Sequence, residues 1–281
     1  MPKPYPSGKV DLGNIYHTMR SYQKGDITRE LAVKELRTVS PIALLKAEQN
    51  LLEKGFSKKD LRHISEIYAD IFRDRSRKTI SDLEEGHPVR TLLVEHAFIK
   101  SLLNEIAEFR DIMADPEKEL DPHIFKLLMK NFEETEKHFL KEEDVLLPKL
   151  KENGLSGRVE MISEEHDSFI KHSIRLGDLA RHMDINREKI VDELDYLLPH
   201  IHLHAFTEGA ILYPVALKVI DDWEVLKTKM DIIGDPEFVP VGNFKPMKKK
   251  GDDKLTNTLE YMEEVESVSS GFILGDEEDE N

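Results

Sequence analysis

Two stretches of this chain repeat each other: "HFLKEEDVLLP" from His138 to Pro148, and "HAFTEGAILYP" from His204 to Pro214. Both read H-x-x-x-E, and both place a proline ten residues after the histidine. Upstream of each lies a second matched pair, "EHAFIK" from Glu95 and "EHDSFIK" from Glu165. The histidine-to-histidine spacing is 42 residues in the first half and 38 in the second. Residues four apart lie one helical turn above each other, so each His and its Glu share a face. A single H-x-x-x-E is most often a solvated pair on a helix surface. Two copies, each with an E-H partner about forty residues before it, instead call for four helices that turn these faces toward one another.

The rest of the sequence agrees with four helices. Apolar residues recur at three- and four-residue spacing, and no segment sustains period-two alternation, so the expected fold class is all-α. Four long segments are expected, over His87-Pro88 to Met113, Asp121-Pro122 to Gly154, Gly157 to His182, and Asn186 to Ile220. Pro199 is expected to break or kink the last. Short loops between helices of this length predict an up-down-up-down bundle. Ahead of it, residues 10 to 74 carry four shorter helical segments. Ser40-Pro41 starts one and Gly55 stops it, and Ser57 can cap the next. The predicted organisation is a small N-terminal helical domain over residues 1–80, the four-helix bundle over 85–230, and a linker with an acidic, disordered tail over 231–281. The charged stretch "RDRSRKTISDLEEG" separates the first two.

Composition narrows the chemistry. With no cysteine among 281 residues, disulfides, thiolate nucleophiles, iron–sulfur clusters and cysteine-type zinc sites are all excluded. Any metal must be held by histidine, carboxylate and water. A formal net charge of −16 argues against nucleic acid or an anionic membrane as partner. No apolar run long enough for a membrane span and no secretory leader are read, so the expected compartment is the cytoplasm.

The repeat can bring six ligand-type residues to the bundle axis: His96, His138, Glu142, His166, His204 and Glu208. Carboxylates can bridge two metal ions while two imidazoles ligate each from the side. Such nitrogen-plus-oxygen donors suit iron, manganese or zinc. His200 shares a face with His204, which allows a supporting role outside the ligand set or a spare ligand, while His202 points away; both are expected to be satisfied histidines outside the ligand set or at the surface. His87 precedes a proline at a helix start and reads as a cap or a residue on the rim of the site. His17, His63, His123, His172 and His182 lack a matched partner and are read as surface residues. Candidate proton donors near the site are Glu95, Glu165 and Tyr213.

On the motifs "EHAFIKSLL", "HFLKEEDVLLP", "EEHDSFIKH" and "HLHAFTEGAILYP", residues from about His87 to Trp223 resemble the hemerythrin-like, HHE cation-binding family. That resemblance implies a four-helix bundle around a non-haem di-iron centre, with His96, His138, Glu142, His166, His204 and Glu208 as ligands. Glu142 and Glu208 would be the bridges. Oxygen-carrying hemerythrins have a further histidine where this chain has Ile170, so the resemblance points toward sensing or redox relatives rather than reversible oxygen carriers. Val39 to Phe72 resembles a helical domain of unknown function commonly fused to hemerythrin-like and PAS domains. Many such relatives carry a cysteine and a histidine where this chain has Ser65 and Tyr68. The chain ends in the acidic tail where many continue into PAS, so either that domain has been lost or signalling uses another partner.

The expected function is binding or sensing of oxygen, nitric oxide or redox state at two non-haem irons (manganese or zinc being the other candidates), signalled through the N-terminal domain. The alternatives are a di-iron redox enzyme acting on peroxide, oxygen or nitric oxide, and iron storage, delivery or iron-centre repair. Expected partners are a small diatomic ligand or peroxide, a protein signalling partner and a second copy of the chain.

Overall fold

In the computed structural model the described residues are 12–65, 67, 68, 71, 72 and 83–238, apart from the side chain of residue 184. The acidic tail expected beyond residue 238 and most of the charged stretch before the bundle lie outside them. All regular structure among the described residues is helical.

Four short helices come first: α1 (Leu12–Gln23), α2 (Arg29–Leu36), α3 (Pro41–Glu53) and α4 (Lys58–Ser65). Local chemistry sets their ends. The Ser40 hydroxyl accepts from the Ala43 amide with Pro41 in the first turn, and Gly55 ends α3 at a φ of 88°, a left-handed conformation that only glycine adopts without strain. Ser57 and Asp60 cap each other: the Asp60 amide donates to Ser57 Oγ, and the Ser57 amide donates to Asp60 Oδ2. Two of the four helices, α2 and α4, have eight residues each.

Four antiparallel rods follow. The first is α5 (Pro88–Met113). The second comprises α6 (Pro122–Glu134), α7 (Glu136–Lys141), a π-helical turn over Glu142–Leu146, and α8 (Leu147–Glu152). The third is α9 (Ser156–Ala180). The fourth comprises α10 (Met183–Thr207), a second π-helical turn over Glu208–Leu212, and α11 (Tyr213–Val219). Each rod packs on the next and the fourth returns to the first, which is the up-down-up-down arrangement. A last helix, α12 (Trp223–Ile233), leans across α5 and α7.

The fourth rod departs from expectation in where it is irregular. Pro199 lies inside α10 without ending it. Its missing N–H leaves the carbonyl of residue 195 without a helical partner, and Asp195 is exposed, so water can take that place. The interruption comes instead at the π turns, where the amides of Leu147 and Tyr213 reach back five residues to the carbonyls of Glu142 and Glu208. In both rods a proline comes two residues after the end of the turn, at 148 and 214. A widened turn relieves the clash between a proline ring and the preceding turn.

The apolar interior is split in two. One cluster joins the N-terminal helices to one end of the bundle, through residues such as Leu44, Ile64 and Tyr68 with Leu93, Leu146 and Tyr213. The other fills the opposite end, with Ile99, Phe125, Phe169 and Ile201. All four rods pass through a polar layer between them.

Candidate metal centre

That layer contains the six residues singled out by the repeat. His96, His138, His166, His204, Glu142 and Glu208 are all at most 4% exposed. One ligand atom from each of Glu142, His166, His204 and Glu208 lies within 4.8 Å of the others, and so do those of His96, His138 and Glu208. Glu208 belongs to both groups. Glu142 Oε2 lies 3.3 Å from His166 Nε2 and 3.7 Å from His138 Nε2, so it too stands between the two histidine pairs.

The outer nitrogens explain why the rings face inward. His138 Nδ1 donates to Glu95 (2.9 Å), His166 Nδ1 to Glu143 (2.7 Å) and His204 Nδ1 to Glu165 (2.7 Å). Each carboxylate fixes one tautomer and leaves the Nε2 lone pair aimed at the centre. His96 differs: its Nδ1 is buried without a partner, while its Nε2 is 3.1 Å from Glu208 Oε2 and 3.2 Å from the Tyr213 hydroxyl. The same difference appears in their proton affinities. Burial lowers all four imidazoles; at His96 it prevails, whereas at His138 and His166 the carboxylates outweigh it. His204 is pushed up to about 9, because Glu208 and Glu165 more than offset its burial.

These residues fit a cation. His166 Nε2 and His204 Nε2 stand 3.0 Å apart, facing each other. His138 Nε2, Glu142 Oε2 and Glu208 Oε1 are buried without a hydrogen bond. Five carboxylates (Glu95, Glu142, Glu143, Glu165 and Glu208) surround the four rings, and among the described residues the one ammonium within the layer, Lys141, is committed to Glu95 and, at 2.8 Å, to Asp235. Buried anions and imidazole lone pairs in this proportion are stabilised by positive charge. Burial would raise the Glu208 carboxyl, yet His204, followed by hydrogen bonds from neighbouring histidines, holds it well below the usual carboxylate range.

The family model for the Hemerythrin HHE cation binding domain matches residues 87–216. This segment is similar to a hemerythrin HHE domain. No curated protein and no solved structure gives a match. The HHE domain implies cation binding, typically of iron, and the buried His/Glu layer is where this chain has the donors for it.

Around the layer, several expectations change. Glu95 and Glu165 sit on the outer nitrogens of His138 and His204, so of the three candidate proton donors only Tyr213 reaches the inner side, donating to Glu142 Oε1 at 2.7 Å. His87 caps α5 by accepting from the Val89 amide and packs on Trp223. His200 lines a cavity beside His204. His202 points elsewhere but is neither a surface residue nor satisfied: its Nδ1 is buried without a partner, and burial, with Lys100 nearby, pushes it down to about 4. His172 is no simple surface residue either, because its Nδ1 donates to Glu193 (2.6 Å) on the facing rod. Ile170 packs into the apolar cluster at the far end of the bundle. Glu143 and Lys141 were not singled out by the sequence; the signal available was the acidic "KEED" run next to Glu142, which reads equally as a solvated face.

Proposed function

We propose that His96, His138, Glu142, His166, His204 and Glu208 hold two iron ions, His96 and His138 on one, His166 and His204 on the other, with Glu142 and Glu208 shared. The N-terminal helical unit would report the state of the iron pair, which responds to oxygen, nitric oxide or redox state. The observation that carries this reading is the closed, buried layer of four imidazoles and two carboxylates, three of the rings pre-oriented by an outer carboxylate. Bound there, iron would supply one-electron chemistry and open positions for a small ligand. The chain's own part is to hold the rings in one tautomer, keep bulk water out with two apolar clusters, and join the N-terminal helices to one end of the bundle through a shared core.

A second reading, a di-iron redox enzyme acting on peroxide, oxygen or nitric oxide, is favoured by one residue. Tyr213 is fully buried, and its hydroxyl touches Glu142 and His96. It can hold a proton at Oη close to the centre, where a reduction that consumes protons needs one.

Elemental analysis of protein purified without added metal, with optical spectra before and after dithionite, air and nitric oxide, tests the first reading. About two irons per chain and a spectrum that responds to these treatments are expected. Little metal even after anaerobic iron loading would end both readings. Turnover with an electron donor that falls in Tyr213→Phe while iron content is unchanged would select the second.

A further inference from the structure

The two halves of the centre differ in where the positive charge behind the outer carboxylate comes from. In the first half, Glu95 holds His138 and is itself met by Lys141, three residues after His138 on the same rod. The equivalent position in the second half, three residues after His204, is Thr207, whose hydroxyl donates to the Leu203 carbonyl. Glu165, which holds His204, receives no cation from the rod of His204. The guanidiniums around it belong to Arg62 on α4 and to Arg158 on α9, and both line a cavity of about 100 Å3 together with Ser65, Glu165, His200 and His204.

Arg158 is committed elsewhere. Buried, it donates to both carboxylate oxygens of Glu48 on α3 and to the Ser65 hydroxyl, and Tyr68 donates to the same Glu48. This network fastens α3 and α4 to α9. Arg62 is held less tightly. Half exposed, its Nε lies 3.9 Å from Glu165 Oε1, and its Nη2 lies 3.9 Å from Glu164 Oε2. The other oxygen of Glu165 is the one on His204. The cavity beside the contact leaves the half-exposed Arg62 side chain room to change its distance to Glu165 while the Arg158 network stays closed.

We propose that Arg62 is a positioning residue for the metal centre: drawing on Glu165 from the N-terminal helices, it sets how strongly that carboxylate draws on His204 Nδ1, and hence how electron-rich the metal on that half is. This rests on the reading of the layer as an iron centre. A carboxylate relieved of its cation pulls harder on the imidazole proton and makes the ring a stronger donor. Loss of a positive charge on this side also favours the more positive, oxidised metal, so both effects act in one direction. By linkage, whatever oxidation does to Glu165 is returned to the Arg62 contact, giving α4 a way to sense the centre.

The test is a redox titration of iron-loaded full-length protein with Mössbauer spectra, on wild type, Arg62→Ala, Arg62→Lys and Lys58→Ala. Lys58 is the control: it sits on α4 and pairs with Glu164 and Glu160 but has no contact with Glu165. Arg62→Ala is expected to lower the reduced-to-oxidised ratio at a fixed potential about threefold, as befits a half-exposed ion pair. That is roughly half of the 59 mV that a tenfold change represents for one electron. One of the two iron sites should change its spectrum and the other should not, Arg62→Lys should keep most of the wild-type value, and Lys58→Ala should match wild type. An Arg62→Ala protein with wild-type potential and spectra, or a Lys58→Ala protein shifted equally, overturns the inference and leaves the iron centre standing. A wild-type protein that takes up no iron overturns both.

Discussion

The two halves of the bundle carry the same ligands on different supports. His96 and His166, His138 and His204, Glu142 and Glu208 occupy matched positions, and each half has its π turn and proline at the same offset. Behind these residues the correspondence holds at Glu95 and Glu165 and fails elsewhere. Glu143, which holds His166, has Gly209 at its matched position, and the outer nitrogen of His96 has no partner. Leu147 matches Tyr213, so one half presents a methyl-bearing side chain where the other presents a hydroxyl. Lys141 matches Thr207. The difference teaches that the ligand layer sets which atoms face the centre, while the surrounding shell gives the two sides distinct proton and charge environments. Two sites that a duplicated pattern would make alike are chemically unequal.

The largest expected effect tests what the halves share. Glu208 belongs to both ligand groups, so Glu208→Gln should lose both metals, whereas His96→Ala should lose one and keep the other; metal content per chain measures this. Next comes the contrast between Lys141 and Thr207. Lys141→Met leaves Glu95 buried without its cation and should cost about 3 kcal/mol, the low end for a broken buried pair, because Asp235 beside it is largely exposed. Thr207→Val removes one local hydrogen bond and should cost less than about 1 kcal/mol. Urea unfolding of the two variants compares them, and equal losses would break the asymmetry.

Glu143→Gln should weaken the metal held by His166 and His204 by roughly tenfold or more, the usual effect of losing the partner of a ligating histidine, and leave the other metal alone. A two-site titration with cobalt(II) separates these outcomes. The smallest effect lies away from the layer. Glu105 on α5 matches Arg175 on α9, which is paired with Glu193, whereas Glu105 has a buried, unpartnered oxygen. Burial, with Glu108 adding repulsion, pushes its carboxyl up to about 7. The folded protein therefore holds a proton that the unfolded chain releases near its ordinary value. The contribution to stability is present below that value and is lost as pH rises toward 7. Glu105→Gln should flatten that part of the stability–pH curve, measured as melting temperature against pH.

Much of this architecture was legible because it depends on local chemistry. Ser40-Pro41, Gly55, Ser57 and Asp121-Pro122 act within a few residues, and the structure uses all of them as helix signals. The convergence of the six ligand-type residues was readable for a different reason: the duplicated spacing states it twice. What escaped depends on contacts between rods. Glu143 meets a histidine 23 residues away and Glu193 one 21 residues away, and a 3.6-residue period says nothing about such pairings. The π turns were hidden because H-x-x-x-E reads as an ordinary turn and the widening begins only at the glutamate. Pro199 does not break the helix, since the residue beneath it, Asp195, is exposed and water can reach its carbonyl.

The polar layer at mid-bundle also bears on a chain that has no cysteine. Cations held there would tie residue 96 to 138 and residue 166 to 204, closing two loops of about forty residues that the unfolded chain would otherwise explore freely. That restriction acts on the denatured ensemble in the way a cross-link does, and its effect grows only slowly with loop length. The ligand layer is thus positioned to serve as a removable staple, closed by loading and opened by chelation.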